Sequence, residues 1–314
     1  FTSVPPLQGV IDHPHGDYTV SRAPIAEWVR WAVENYRARL GCAEALGDDT
    51  VPVARLNTGT QLYAAAFGCD VASPGDTNPF ALPMVTTAEE ADAVEEPDIW
   101  KTPELYRVFE LARLVQKELG PDAYIGPCDM QTGFDTAALI WDKTHLFLAM
   151  TDPEEKRAVH RLAAKCAHLL ETFLTALHEE FPMMTLCGCP TVWAPPEMGP
   201  WPSNDECGAV STSMFEEFML PELIALSKRF GSIGMHCCAA ADHQWGSIAK
   251  IPDFYAFNRV APPNSGIGGF DPAVEKLGGP DGPVFVLGWM QTEQVEHLLQ
   301  TAPEGTRFIF QQTV

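Results

Sequence analysis

No stretch of this sequence is apolar for the roughly 20 consecutive residues that a helix needs to cross a bilayer. A soluble chain is therefore expected, made of one large domain or two ordinary ones, and a single barrel would use its 314 residues well. Basic residues are also scarce: 20 Lys and Arg stand against 42 Asp and Glu, a net charge of −22, with no Lys/Arg cluster anywhere. Nucleic acid is excluded as an expected partner, because backbone phosphates are bound by clustered cations. A substrate with many carboxylates is disfavoured for the same electrostatic reason. Regularly spaced cysteines are lacking too. The nine present are odd in number and scattered, and no secretory signal opens the chain. Reduced thiols in a cytoplasmic protein are expected, with a small-molecule substrate and no membrane association. An initiator Met is absent, so residues are expected to precede Phe1, and others to follow Val314.

What is present is an alternation of helical and strand patterns. Ser21 to Leu46 carries apolar residues at helical spacing, among them Trp28, Val29, Ala32, Val33, Tyr36 and Leu40, with Gly47 to end it. Arg22, Arg30, Arg37 and Arg39 read as the solvated face of that helix. Thr102-Pro103 starts a second helix that stops at Gly120. Asp152-Pro153 starts a long third, to about Phe181, whose apolar stripe includes Val159, Leu162, Cys166 and Leu170. Ser213 with Glu216 reads as a capping box for a helix to Phe230, kinked or divided at Pro221. Strands are predicted at 51–56, 123–126, 184–187, 232–238, 254–260, 284–289 and 307–311. Such alternation implies a mainly parallel sheet, and the short, regular units toward the C-terminus suggest a (β/α)8 barrel, whose chemistry sits at the C-terminal strand ends.

Gly234-Met235-His236-Cys237-Cys238 falls at one such end. Alternate strand residues share a face, so His236 and Cys238 project together while Cys237 points the other way. An imidazole and a thiolate suit Zn²⁺, which in catalytic sites takes three protein ligands and keeps one position open. A buried strand end that merely carries His and Cys would show the same spacing, since strong zinc signatures need four ligands. Weaker signals read more plainly: Cys187-Gly188-Cys189 as buried, Asp12-His13-Pro14-His15 as a solvated arm, Gly266-Ile267-Gly268-Gly269 as a flexible connection, and Trp193, Trp201 and Trp289 as core.

Asn204-Asp205-Glu206, Ser211, Met214 to Phe218, Leu220-Pro221 and Gly234 to Cys238 together resemble the C-terminal half of the uroporphyrinogen decarboxylase superfamily. Gly59-Thr60, Ala66 to Cys69, Asn78-Pro79, Asp129 to Asp135 and Asp152-Pro153-Glu154 are similar to its upstream landmarks, so the likeness runs from about Asp49 to Phe310. The resemblance implies a distorted (β/α)8 TIM-like barrel over 49–314, with 1–48 as an N-terminal helical extension. It also implies one of two activities. The heme-pathway decarboxylase is expected to carry an arginine-rich N-terminal segment ending in a Gly-Arg-Tyr-like motif, and this sequence has none. The zinc-dependent methyltransferase branch is marked by a His-x-Cys motif, which His236-Cys237-Cys238 matches.

The resemblance thus implies a methyltransferase or demethylase: zinc on His236 and Cys238, and methyl transfer between a small methylated substrate and a corrinoid protein or thiol. Asp205 and Glu206 are implied in the same mouth, where a carboxylate orients substrate or donates a proton if desolvation raises its pKa. Two departures from the pattern stand out. Ala239-Ala240-Ala241 follows Cys238 where Gly is usual, and Phe308 to Val314 lacks the second Cys expected near the last strand. The third ligand is left open among Cys237, Cys187, Cys189, Glu206, His243 and a residue beyond Val314. A metal-free decarboxylase or lyase, and a non-catalytic barrel that binds metal or corrinoid, are the alternatives.

Overall fold

The computed structural model describes residues 24–56, 58–73, 79–189, 192–260, 266–288 and 290–311. Asp12 to His15, Asn78 and Trp289 lie outside the described residues, as do 21–23 of the first predicted helix. The chain divides into two compact units, at Glu197 and Met198. No described helix is long and apolar enough to cross a membrane.

In the first unit, α1 (Ile25–Leu46) precedes β1 (Ala54–Arg55) and ends on Gly47, whose φ of 62° is the left-handed stop that glycine permits. After α2 (Leu62–Ala66), an antiparallel ribbon of β2 (Val71–Ala72) and β3 (Phe80–Ala81) leads to α3 (Ala88–Ala93). The helix α4 (Pro103–Leu119) has Pro in its first turn and Gly120 at its end, then comes β4 (Ile125–Gly126). Next are α5 (Gly133–Ile140), α6 (Lys143–Thr151) and the long α7 (Lys156–Glu180). The Asp152 carboxylate accepts the N–H groups of Glu154 and Glu155 at 2.8 and 3.2 Å, so 152–155 form a turn and the helix proper starts at Lys156. The α7 stripe from Val159 to Leu177 is buried, Cys166 included. Here β1 pairs in parallel with β4, and Ile125 bridges in parallel to Met184.

The second unit opens with a 3-10 turn at Glu206–Ala209, then α8 (Thr212–Phe218) and α9 (Leu220–Phe230). The N-cap is Ser211, whose hydroxyl accepts the Met214 N–H at 3.4 Å, not the Ser213 that the Ser-x-x-Glu spacing predicts. The helix is divided at Met219, and Pro221 sits in the first turn of α9, where its missing N–H costs nothing. β5 (Ile233–Cys237), α10 (Trp245–Ile248), β6 (Phe254–Arg259), α11 (Asp271–Leu277), β7 (Val284–Gly288), α12 (Thr292–Thr301) and β8 (Arg307–Gln311) complete the chain. The four strands lie side by side in sequence order, all parallel, and Ser203 bridges His236 in parallel as a fifth segment. Parallel segments recur near residues 54, 125 and 184 in one unit and near 203, 235, 257, 286 and 309 in the other, and the fold class is α/β of the distorted (β/α)8 type. The segment at 203 and the β2–β3 ribbon escape the alternation pattern because they are too short to have a period.

A glycine sets the spacing next to the fifth segment. The indole of Trp201, 2% exposed, lies so close to Gly234 that a Cβ there would stand 2.7 to 3.0 Å from ring carbons. A rigid buried ring cannot step aside as a flexible chain end would. Gly234→Ala should therefore cost about 1–3 kcal/mol through overpacking, read by urea unfolding. An unchanged midpoint would show that this contact is not constraining.

Candidate metal centre

Backbone pairing delivers the site. Gly234 N–H donates to Pro200 O at 3.0 Å, His236 N–H to Pro202 O at 3.0 Å, and Asn204 N–H returns to His236 O at 2.9 Å. The segment ending at Asn204 therefore runs beside β5, and the next residue, Asp205, emerges where β5 ends. There the Asp205 Oδ1 accepts the Cys238 N–H at 2.7 Å and lies 3.9 Å from His236 Nε2. Asp205, His236 and Cys238 offer ligand atoms that all lie within 4.8 Å of one another, the one such group among the described residues. Donors around a tetrahedral zinc are about 3.5 Å apart given bonds near 2.0–2.3 Å, so the spacing is slightly wide of a closed site. An imidazole nitrogen, a thiolate and a carboxylate are a donor set that zinc takes.

The histidine is held in the form a metal needs. Asn258 pairs with His236 in the β5–β6 register. Its Nδ2 donates to Val286 O at 2.6 Å, which leaves Oδ1 to accept from His236 Nδ1 at 2.5 Å. The network thus requires the proton on Nδ1 and leaves the Nε2 lone pair facing Asp205 and Cys238. Such an outer hydrogen bond orients a ligating imidazole and raises its basicity. His236 is buried, Asp205 is half-buried and Cys238 is exposed, so the group opens to solvent on one side. The His236 contact draws the Cys238 thiol down, but burial and the Asp205 carboxylate together outweigh it and leave the thiol above its ordinary value.

The turn after Cys238 is built without the expected glycine. Among the described residues no alanine at 239–241 has a positive φ. Gly208 makes the room, since a Cβ on it would meet the Ala239 Cβ at 2.5 Å. Arg259, its side chain fully buried, donates to Ala239 O at 3.3 Å, pairs with Asp242 at 2.6 Å and stacks on the Trp245 ring at 5.1 Å. It pins the loop that begins at Cys238.

The other sequence candidates fall elsewhere. Cys237 is buried and faces away, its Sγ 3.5 Å from that of Cys207. Glu206 opens the 3-10 turn, outside the donor group. His243 Nε2 lies 2.8 Å from Val210 O, outside the donor group. Cys187 and Cys189 belong to the first unit, where burial pushes the Cys187 thiol up. Asp205, read from the sequence as substrate-facing, stands within the donor group itself. Asn258 and Arg259 had a visible signal, a polar pair closing the otherwise apolar run from Phe254 to Phe257.

Comparison with known proteins follows from this geometry. The family model described as uroporphyrinogen decarboxylase (URO-D) matches residues 50–259, two-thirds of the chain. The chain belongs to the uroporphyrinogen decarboxylase family. That stretch spans Asp205, His236, Cys238 and Asn258. Among solved structures, a methyltransferase from Methanosarcina mazei is similar in fold, with a TM-score of 0.57 and 13% identity over 85% of this chain and 76% of that one. No curated protein matches the sequence.

Two outcomes test the centre. Asn258→Leu should free the His236 tautomer and weaken zinc binding about 10- to 100-fold, measured by competition with a chromophoric chelator, while Cys237→Ser should leave it near wild type. Because the Cys238 thiol is held above its ordinary value, metal must displace a proton from it. Affinity should therefore rise with pH and fall by about tenfold per pH unit on acidification for one proton released; a flat profile between pH 6 and about 8 would remove Cys238 from the ligand set.

Proposed function

We propose that this protein is a zinc-dependent methyltransferase of the uroporphyrinogen decarboxylase family, moving a methyl group between a small methylated substrate and a corrinoid protein or a thiol. The observation that carries this reading is the convergence of Asp205, His236 and Cys238, with the Nε2 lone pair of His236 turned into the group by Asn258. Family membership and the fold shared with a protein named a methyltransferase support it.

His236 Nε2, Cys238 Sγ and Asp205 are the three ligands, which leaves a fourth position for substrate. When bound there, zinc supplies Lewis acidity toward a donor oxygen or holds an acceptor thiol in its thiolate form at neutral pH. Asp205 also accepts the Cys238 N–H, so one carboxylate fixes the backbone that carries a second ligand. Glu206, one residue on, is the carboxylate left to orient substrate or to move a proton. Arg259 keeps the Cys238 loop in place. The nine cysteines are free thiols, which suits a reducing compartment and supports a cytoplasmic setting.

Metal analysis combined with a methyl-transfer assay is the test. Wild type should carry about one zinc and methylate free cobalamin or a thiol from a methylated donor, while His236→Ala and Cys238→Ala should lose both metal and turnover. Equal zinc in all three would overturn the site. Zinc-free wild type that releases CO₂ from a carboxylated substrate would favour the lyase. Efficient conversion of uroporphyrinogen is not expected, because the arginine-rich segment is absent.

A further inference from the structure

Cys207 and Cys237 are thiols that the metal centre does not use. Both are buried, and their sulfurs stand 3.5 Å apart although thirty residues of sequence separate them. Backbone fixes the contact from both sides. Asn204 N–H donates to His236 O at 2.9 Å and Cys238 N–H to Asp205 Oδ1 at 2.7 Å, so the two segments are in register where they carry the cysteines. Gln244 Nε2 donates to the carbonyl of Cys207 at 2.9 Å, and Val260 N–H donates to the carbonyl of Cys237 at 3.3 Å. A bond between the sulfurs would therefore need little further ordering of the chain.

Hydrogen bonding also orients the sulfurs. The Cys207 thiol donates to Asn204 O at 3.0 Å. A thiol has one proton, so the proton between the two sulfurs is that of Cys237, and a lone pair of Cys207 faces the Cys237 sulfur. The cover over the pair is thin. It consists of the 3-10 turn Glu206–Ala209 and the turn from Cys238 to Ala240, which meet where Gly208 packs on the Ala239 methyl. Ala209, Cys238 and Ala240 are exposed. Short surface turns with small side chains open locally at low energy, and a reagent of the size of hydrogen peroxide needs no more than that.

We infer that Cys207 and Cys237 are a reversible disulfide site, closed by a peroxide and opened by a thiol reductant, that loosens the metal centre when oxidised. The Cys237 sulfur attacks one peroxide oxygen and the O–O bond breaks; the departing hydroxide takes the Cys237 proton as water and leaves a sulfenic acid. The Cys207 sulfur then attacks the Cys237 sulfur, the S–O bond breaks, and hydroxide leaves with the Cys207 proton as a second water. Two thiols lose two electrons and one peroxide becomes two waters. A disulfide holds its sulfurs roughly 2 Å apart, against 3.5 Å here. Cys237 projects from the face of β5 opposite His236 and Cys238. Closure therefore draws the two segments together behind the donor group and opens the spacing in front, which is already slightly wide for zinc. This effect on metal rests on the metal-centre reading; the disulfide does not.

Peptide mapping by mass spectrometry tests the bond, on folded, zinc-free full chain treated with hydrogen peroxide, alkylated with iodoacetamide and digested. Wild type should give two peptides joined through Cys207 and Cys237, two hydrogens lighter than their sum and separated by dithiothreitol. Cys237→Ser should give none, and Cys42→Ser, which removes a half-buried thiol of α1, should behave as wild type does. Absence of the joined pair in wild type, or its formation only in urea, would overturn the site. Chelator competition, with peroxide and reductant removed, tests the coupling. Oxidised wild type should bind zinc about tenfold more weakly than reduced, the scale of a disturbed support behind a metal ligand, and recover after dithiothreitol. Peroxide-treated Cys237→Ser should bind as its untreated form does. Equal affinity of the two wild-type forms, or the same loss in treated Cys237→Ser, would overturn the coupling. If neither wild-type form holds zinc, the metal-centre reading fails while the joined peptides still decide the disulfide.

Discussion

Hydrogen bonds between β5 and the segment from Pro200 to Asn204 fix where the donor group forms. They bring two stretches about thirty residues apart into register, so that Asp205 leaves one strand end as Cys238 leaves the other. The close approach depends on Gly234, which presents bare backbone to the Trp201 ring. A larger residue there would push the segment outward, and Asp205 with it. Packing at one glycine thus governs chemistry several residues away.

A second constraint runs across the sheet. Val286 O, Asn258 and His236 form a buried relay over three neighbouring strands, in which each hydrogen-bond direction follows from the last. A buried amide must satisfy both its donor and its acceptor, and satisfying them here sets the protonation of the imidazole. Arg259, next to Asn258 in sequence, points to the other face and anchors the Cys238 loop instead. Two adjacent residues of β6 therefore hold His236 and the loop that begins at Cys238 by opposite faces of one strand.

Charge is spent unevenly over the molecule. Exposed pairs such as Arg161 with Asp92 and Arg113 with Glu180 join neighbouring helices and contribute little each, because solvent screens them. The buried Arg259 is compensated from several sides, by a carboxylate, carbonyls and an aromatic face. Arg55, half-buried at the end of β1, donates to the Gly188 carbonyl.

Much of the fold was legible in the residues. Periodicity and punctuation located α1, α4 and α7, and Pro221 divided α8 from α9, because a helix encodes its buried face and its ends within a few turns of local sequence. The strands from β5 to β8 were equally plain as apolar runs between helices. His236 and Cys238 could be paired because strand alternation is a local property. What the sequence could not supply was everything that depends on strands meeting. Asp205 stands thirty-one residues before His236 and Asn258 twenty-two after, and no spacing rule links them. Only the parallel register places a carboxylate on one side of the imidazole and an amide on the other, since interstrand neighbours are chosen by the packing of the whole sheet and not by the chain between them.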